Sequence, residues 1–326
     1  MSFERHLFLA PLAGYTDSAF RTVCRSSGAS RVFTGMVSAE GIARKNPGSL
    51  GLLKFTQRER PVAVQLFGSN PASFGEAARI VSEKAPEFID LNFGCPAKKI
   101  LSQRAGAALL RFPDAMAKIV RAVTQATSIP VTAKIRIGLS RDGKEGLQAA
   151  KILEESGVAL ISVHARLATE GMTSLPTWDV VGDIKAAARI PIVANGGIST
   201  PQDAKRVLDS TGCDGIMIGQ GAVGRPWIFE HIRNFLADGS LSAEPEPCER
   251  IAIFSRHFAL VEELCADRKG FVCFKGHLLS YLKSLPAARA LRETASRIDG
   301  FAHMGRFLEE MESRFSAGEH SWTNRN

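Results

Sequence analysis

No stretch of this 326-residue chain approaches the roughly 18 apolar residues that a membrane-spanning helix requires, so no membrane association is expected. Residues 1–6 pass at once into Leu7-Phe-Leu-Ala10, too short an apolar run for a secretory leader, which points to a cytoplasmic protein. The six cysteines (Cys24, Cys95, Cys213, Cys248, Cys265, Cys273) are scattered, with no CxxC pair and no Cys/His cluster at metal-ligand spacing. A disulfide framework and a metal centre are therefore not expected, and reduced thiols are. There is no internal repeat beyond the strand–helix alternation described below. Acidic residues are wholly missing from two stretches, 95–111 and 268–292.

The first acid-free stretch carries Lys98, Lys99, Arg104 and Arg111; the second carries Arg268, Lys269, Lys275, Lys283, Arg289 and Arg292, with Phe271, Phe274, His277 and Tyr281 interleaved. With a formal charge of +8 and a pI near 9.3, they read either as solvated basic faces or as footprints for a polyanion. The pairing of basic and aromatic residues favours nucleic acid. The apolar fraction of 45% indicates a globular protein with a substantial core.

Short apolar strands are expected at 7–10, 31–34, 61–66, 88–92, 131–137, 159–164, 191–195 and 215–218. Amphipathic helices are expected at 71–84, 114–126, 146–156, 178–187 and 201–209. Eight β/α units in about 235 residues predict an α/β fold, a TIM (β/α)8 barrel over 1–238. Periodicity alone leaves an open doubly wound sheet as the alternative. Linker composition over 237–248 separates the barrel from a C-terminal all-helical domain (247–316), and the polar tail 317–326 is expected to be disordered.

Alternation along strands turns one set of side chains inward. In Val131-Thr-Ala-Lys-Ile-Arg136, the inward set is Thr132, Lys134 and Arg136. The same rule turns Gln65, Asp90, Asn92, Ser162, His164 and Asn195 inward. Most sit near the carboxyl ends of their strands, where barrel active sites lie. Cys95 follows directly in Asn92-Phe-Gly-Cys-Pro-Ala-Lys-Lys99, a turn that presents one thiol at the rim. Glycines at Asn195-Gly-Gly197 and Gly219-Gln-Gly221 stand where barrels commonly bind phosphate. Together they suggest a phosphorylated cofactor in the barrel mouth.

These segments resemble the tRNA-dihydrouridine synthase family, its bacterial DusB-like branch in particular. The likeness runs through Ala10-Pro-Leu-Ala-Gly-Tyr-Thr-Asp17, Val64-Gln-Leu-Phe-Gly68, Asn92 to Lys99, Ala133-Lys-Ile-Arg136, Val163-His-Ala-Arg166, Val193-Ala-Asn-Gly196, Gly215-Ile-Met-Ile-Gly219 and Gly224-Arg-Pro-Trp-Ile-Phe229. The resemblance implies an FMN-containing barrel whose flavin is reduced by NADPH or NADH, acting on tRNA. The flavin would deliver hydride to C6 of a uracil flipped from the RNA, and Cys95 would protonate C5 as a general acid. Ala10, Pro11, Leu12, Gln65, Lys134, His164, Asn195, Gly196, Gly197, Gly219 and Gln220 would bind the cofactor. Asn92, Lys98, Lys99, Arg104, Arg136, Arg166, Lys275 and Lys283 would bind the RNA, the helical domain contributing phosphate contacts and aromatic stacking. A monomer is expected.

Four changes depart from that family's pattern, one being Arg166-Leu167-Ala168, which breaks its usual His-Gly-Arg-Thr-Arg run. Gly35 replaces a glutamate, Gly197 an aspartate and Gln220 an arginine. The last exchange removes a guanidinium expected at the cofactor phosphate, and Arg225 is expected to compensate.

Overall fold

The computed structural model describes residues 7–140, 144–171 and 173–319. Part of the expected tail, from residue 320 on, lies outside the described residues. Nine strands form one parallel sheet: β1 (Leu7–Leu9), β2 (Val32–Phe33), β3 (Val37–Ser38), β4 (Val62–Phe67), β5 (Phe88–Phe93), β6 (Val131–Arg136), β7 (Leu160–His164), β8 (Ile192–Asn195) and β9 (Gly215–Ile218). The order is β1-β9-β8-β7-β6-β5-β4-β2, with β3 pairing β4 beyond β2. A parallel bridge between Phe8 and Arg31, and Leu9 N–H donating to the Arg31 carbonyl at 2.9 Å, join the first strand to the second. The sheet thereby curls round into an eight-stranded barrel, not an open sheet, and β3 is the one strand that the sequence reading did not anticipate.

The helices between strands start where their caps demand. Asn70 accepts from the N–H groups of Ala72 and Ser73 ahead of Pro71–Ser82. Thr200 and Asp203 form a reciprocal capping box on Pro201–Thr211, which ends at left-handed Gly212. Outward strand residues such as Val62, Val64, Leu66, Ile89, Leu91, Ala133 and Ile135 pack beneath these helices in one continuous core. The barrel interior is layered. Phe8, Phe33, Ala63, Leu160 and Val193 fill its lower part, where the Arg31 guanidinium lies 3.4 Å from the Phe88 ring centroid. Polar side chains occupy the layers above.

Beyond the barrel, the helices Pro247–Leu264, Arg268–Tyr281, Ala288–Arg297 and Phe301–Ser316 share a second core. It includes Phe254, Phe274, Leu278, Leu291, Met304 and Met311, and it reaches Ala19, Val23 and Trp227 of the barrel part. Close approach is permitted by Gly224 (φ +73°), where a Cβ would stand 2.6–2.7 Å from Ser280 and Tyr281 atoms.

The expectation of aromatic stacking on RNA from this segment is corrected here. Phe271, Phe274, His277 and Tyr281 are between 0% and 7% exposed and form the inner stripe of their helix. His277 lies 4.1 Å from Phe20, centroid to centroid, and its Nε2 is 2.9 Å from the Tyr15 carbonyl. His277 and Tyr281, the latter against Trp227, fasten the helical region to the barrel, Phe271 and Phe274 pack within that region, and none presents a face to a base.

Candidate active site

A cavity of about 400 Å³ opens at the carboxyl ends of the strands. Strand register builds it. Gln65 pairs with Asp90, Asn92 with Lys134, Arg136 with His164, His164 with Asn195 and Asn195 with Met217. Residues of equal height therefore point their side chains into one mouth. Cys95 and all eleven residues expected to bind the cofactor line this cavity, as do Asn92, Arg136 and Arg166. Lys98, Lys99 and Arg104 do not; they are exposed just past the Cys95 turn. Lys275 and Lys283 belong to the helical region. Lys275 Nζ donates to the carbonyls of Ser296 and Ile298, both at 2.6 Å, where it caps the end of Ala288–Arg297. Lys283 is exposed.

Two hydrogen-bonded sets organise the interior. In the first, Thr132 Oγ1 donates to Asp90 Oδ1 at 2.6 Å and Gln65 Nε2 to Asp90 Oδ2 at 2.7 Å. Asn92 Nδ2 then donates to Gln65 Oε1 at 2.8 Å, and Asn92 Oδ1 accepts the backbone N–H of Gly94 (3.2 Å) and Cys95 (3.0 Å). In the second, Lys134 Nζ donates to Asn195 Oδ1 at 2.9 Å, and Asn195 Nδ2 donates to the Met217 carbonyl at 2.7 Å. Arg136 ties the two sides together, with Nε donating to the Gly94 carbonyl and Nη1 to the Leu167 carbonyl. It is buried, at 5% exposure.

The charge states follow from this burial. Removal from water and, less so, neighbouring Arg136 bring the Lys134 ammonium down to about 8, against the pull of Asp90. Burial raises the Asp90 carboxyl to about 6, opposed by hydrogen bonds from Thr132 and Gln65. His164 is held far below its ordinary range by burial and by Lys134, Arg136 and Arg166, so its ring is neutral. Its Nε2, 3.1 Å from Arg166 Nη1, accordingly acts as acceptor. The mouth thus carries positive charge over an amide-rich floor, suited to an anionic or electron-rich ligand.

One wall is bare backbone. Gly196 (φ +118°) has no room for a side chain, since a Cβ would lie 2.7 Å from the His164 ring. At Gly221 a Cβ would lie 2.4 Å from the Ile198 carbonyl. At Gly197 (φ +65°) a Cβ would lie 2.6 Å from the Pro176 ring, which accounts for a glycine where a larger residue was expected. Gly35 borders open space. Arg225 does not line the cavity and so does not compensate for Gln220: its Nη2 is 2.5 Å from Glu244 and its Nη1 donates to the Ser199 carbonyl. Met36, Ile198, Ser199, Met217 and Gly221 are among the remaining lining residues. Sequence reading singled out Gly221 but gave no site role to Met36, Ile198, Ser199 or Met217, although strand alternation in β9 turns Met217 inward beside Asn195.

A parallel eight-stranded β/α barrel with a lysine, a histidine and a thiol converging above its strands is a barrel enzyme by its site as well as its fold. The family described as Dihydrouridine synthase (Dus) matches residues 8–316. The chain is 38% identical over 298 residues to tRNA-dihydrouridine synthase B of Pseudomonas aeruginosa, covering 91% of this chain and 90% of that protein. It is 33% identical to a probable tRNA-dihydrouridine synthase of Aquifex aeolicus, with 96% and 98% covered. Among solved structures, the old yellow enzyme homologue from Zymomonas mobilis superposes with a TM-score of 0.50 at 13% identity, over 74% of this chain and 90% of that one, a likeness of fold. The chain belongs to the dihydrouridine synthase family.

Proposed function

We propose that this protein reduces uridine in tRNA to 5,6-dihydrouridine, with FMN held in the barrel mouth and NADPH or NADH as reductant. The observation that carries the reading is the convergence of Cys95, Lys134 and a glycine-built backbone wall on one cavity. The cavity suits a flavin. The backbone at Ala10, Pro11 and Leu12 offers a flat wall, Gln65 and Lys134 offer polar atoms, and the bare glycines at 196, 197, 219 and 221 leave N–H groups free of side-chain cover for a phosphate. When bound and reduced, FMN supplies the hydride that adds to C6 of the uracil.

The chain's own residues supply the rest. The Lys134 ammonium, desolvated and fixed on Asn195, offsets negative charge that builds on the cofactor edge. Cys95 gives its S–H proton to C5 as C6 receives the hydride, and solvent returns a proton to the sulfur. Asn92 and Arg136 hold the loop that carries Cys95. Exposed Lys98, Lys99 and Arg104 contact RNA phosphates beside the mouth, while Lys283 and other exposed cations of residues 247–316 extend that contact. The barrel, 1–238, is the catalytic unit in this reading and the helical segment the RNA-holding one.

The reaction should be visible directly. Protein loaded with FMN should bleach on anaerobic addition of NADPH and regain its colour when a uridine-only tRNA transcript is added. Failure of the RNA to reoxidise it would remove RNA as the substrate. Restoring a guanidinium at the rim probes the phosphate site: Gln220→Arg should tighten FMN about tenfold or more, the worth of one charge-assisted hydrogen bond. Fluorescence titration of the flavin reads this, and an unchanged Kd would place the phosphate elsewhere.

A further inference from the structure

Asp90 has no place in the steps above and does not line the cavity, yet it is fully buried in the barrel interior. Its two carboxylate oxygens accept from Thr132 on one side and Gln65 on the other. Arg31 and Lys134 are the cations whose charge acts on it. A buried acid in a barrel core is costly unless its bonds are used. One of these bonds begins a chain in which every donor points the same way, from the Cys95 loop through Asn92 and Gln65 to this carboxylate.

The chain of amides has a fixed polarity at both ends. At the top, the backbone N–H groups of Gly94 and Cys95 can only donate, so Asn92 must turn its oxygen to them and its NH2 to Gln65. Gln65 must then offer its oxygen to Asn92 and its NH2 downward, which demands an acceptor at position 90. A carboxylate is that acceptor in every rotation. We propose that Asp90 is a positioning residue for the proton donor: acting through Gln65 and Asn92, it fixes the backbone that carries Cys95. On the other side of this residue, Ala107 N–H donates to the Cys95 carbonyl at 3.0 Å, so the thiol's own residue is gripped at both its N–H and its C=O. The consequence for turnover rests on the reading of Cys95 given above, whereas the consequence for the loop does not.

Asp90→Leu removes the acceptor while keeping the branched shape of the side chain. Two readouts separate positioning from mere support of the fold. Iodoacetamide labelling of Cys95, followed by peptide mass spectrometry to exclude the other thiols, should accelerate about threefold or more as the loop opens locally. In FMN-loaded protein, kcat per bound flavin should fall about tenfold with KM for tRNA little changed, because a misaimed donor slows the step and spares binding. Asp90→Asn should restore both, since its amide oxygen can accept from Gln65 while the Thr132 hydroxyl turns to accept from its NH2. Should Asp90→Leu fail to fold, Gln65→Leu in flavin-free protein carries the same labelling expectation. Wild-type labelling in whichever variant folds, or an Asp90→Asn protein as loose as Asp90→Leu, would overturn the relay. A wild-type protein that never reduces uridine would instead overturn the proton-donor reading and leave the labelling result to decide the relay alone.

Discussion

Cys95→Ala is expected to slow dihydrouridine formation by about 10²–10⁴, the usual worth of a positioned general acid, while FMN binding and its reduction by NADPH stay close to wild type. The split follows from geometry. The thiol sits on the loop after β5, tied to Asn92, whereas the proposed flavin contacts come from the opposite glycine wall and from Gln65 and Lys134. Removing Sγ deletes the proton source for C5 and disturbs none of those contacts. Hydride alone cannot complete the reduction, since C5 also needs a proton, and without the thiol that proton has to come from unpositioned water. Rapid-mixing measurements with NADPH, then with tRNA, would separate the two halves. Loss of the NADPH half-reaction in the alanine variant would contradict the assignment.

The second large effect concerns Lys134. Lys134→Met should reduce the rate of flavin reduction by about 10²–10³ at neutral pH, as expected for loss of a preorganised charge at the site where negative charge develops. It also strips Asn195 Oδ1 of its donor, costing about 1–3 kcal/mol if nothing replaces it. The pH profile gives the sign. Burial has brought the ammonium down to about 8, so the amine is charged below that value and neutral above it. The wild-type rate should therefore fall as pH rises through about 8, and the methionine variant should be flat across that range. A wild-type rate that rose there would mean that neutral Lys134 is the active form, acting as a base.

Much of this was legible in the chain. The period-2 pattern of residues 131–136 is unambiguous, because hydrophobic and polar side chains alternate without a break, and strand register then carries Lys134 and Arg136 to the height of Asn92 and His164. The cavity lining was readable for the same reason. The helix Ser18–Ser26 was not, since Arg21 and Thr22 are buried among its apolar residues. Arg21 tolerates this because Glu59, 38 positions away, meets its Nε at 2.6 Å and the carbonyls of Thr16 and Lys54 accept from its other nitrogens. Such a partner leaves no local trace.

Three misreadings have distinct causes. Phe271, Phe274, Leu278 and Tyr281 recur at helical spacing, the mark of a buried stripe, and the basic residues between them drew attention to the wrong face. Asp90 was read as inward-facing but given no role, because the direction of its hydrogen bonds depends on amide orientations that only a folded register defines. Arg225 was expected at a phosphate and instead binds Glu244 in the linker, a contact decided by tertiary placement.

The central claim is most directly tested by nucleoside mass spectrometry on a uridine-only tRNA transcript incubated with FMN-loaded protein and NADPH. The account predicts a uridine that has gained two hydrogens at a defined position, formed by the wild-type protein and nearly absent with Cys95→Ala. Unmodified RNA in the presence of a flavin that NADPH reduces normally would contradict it.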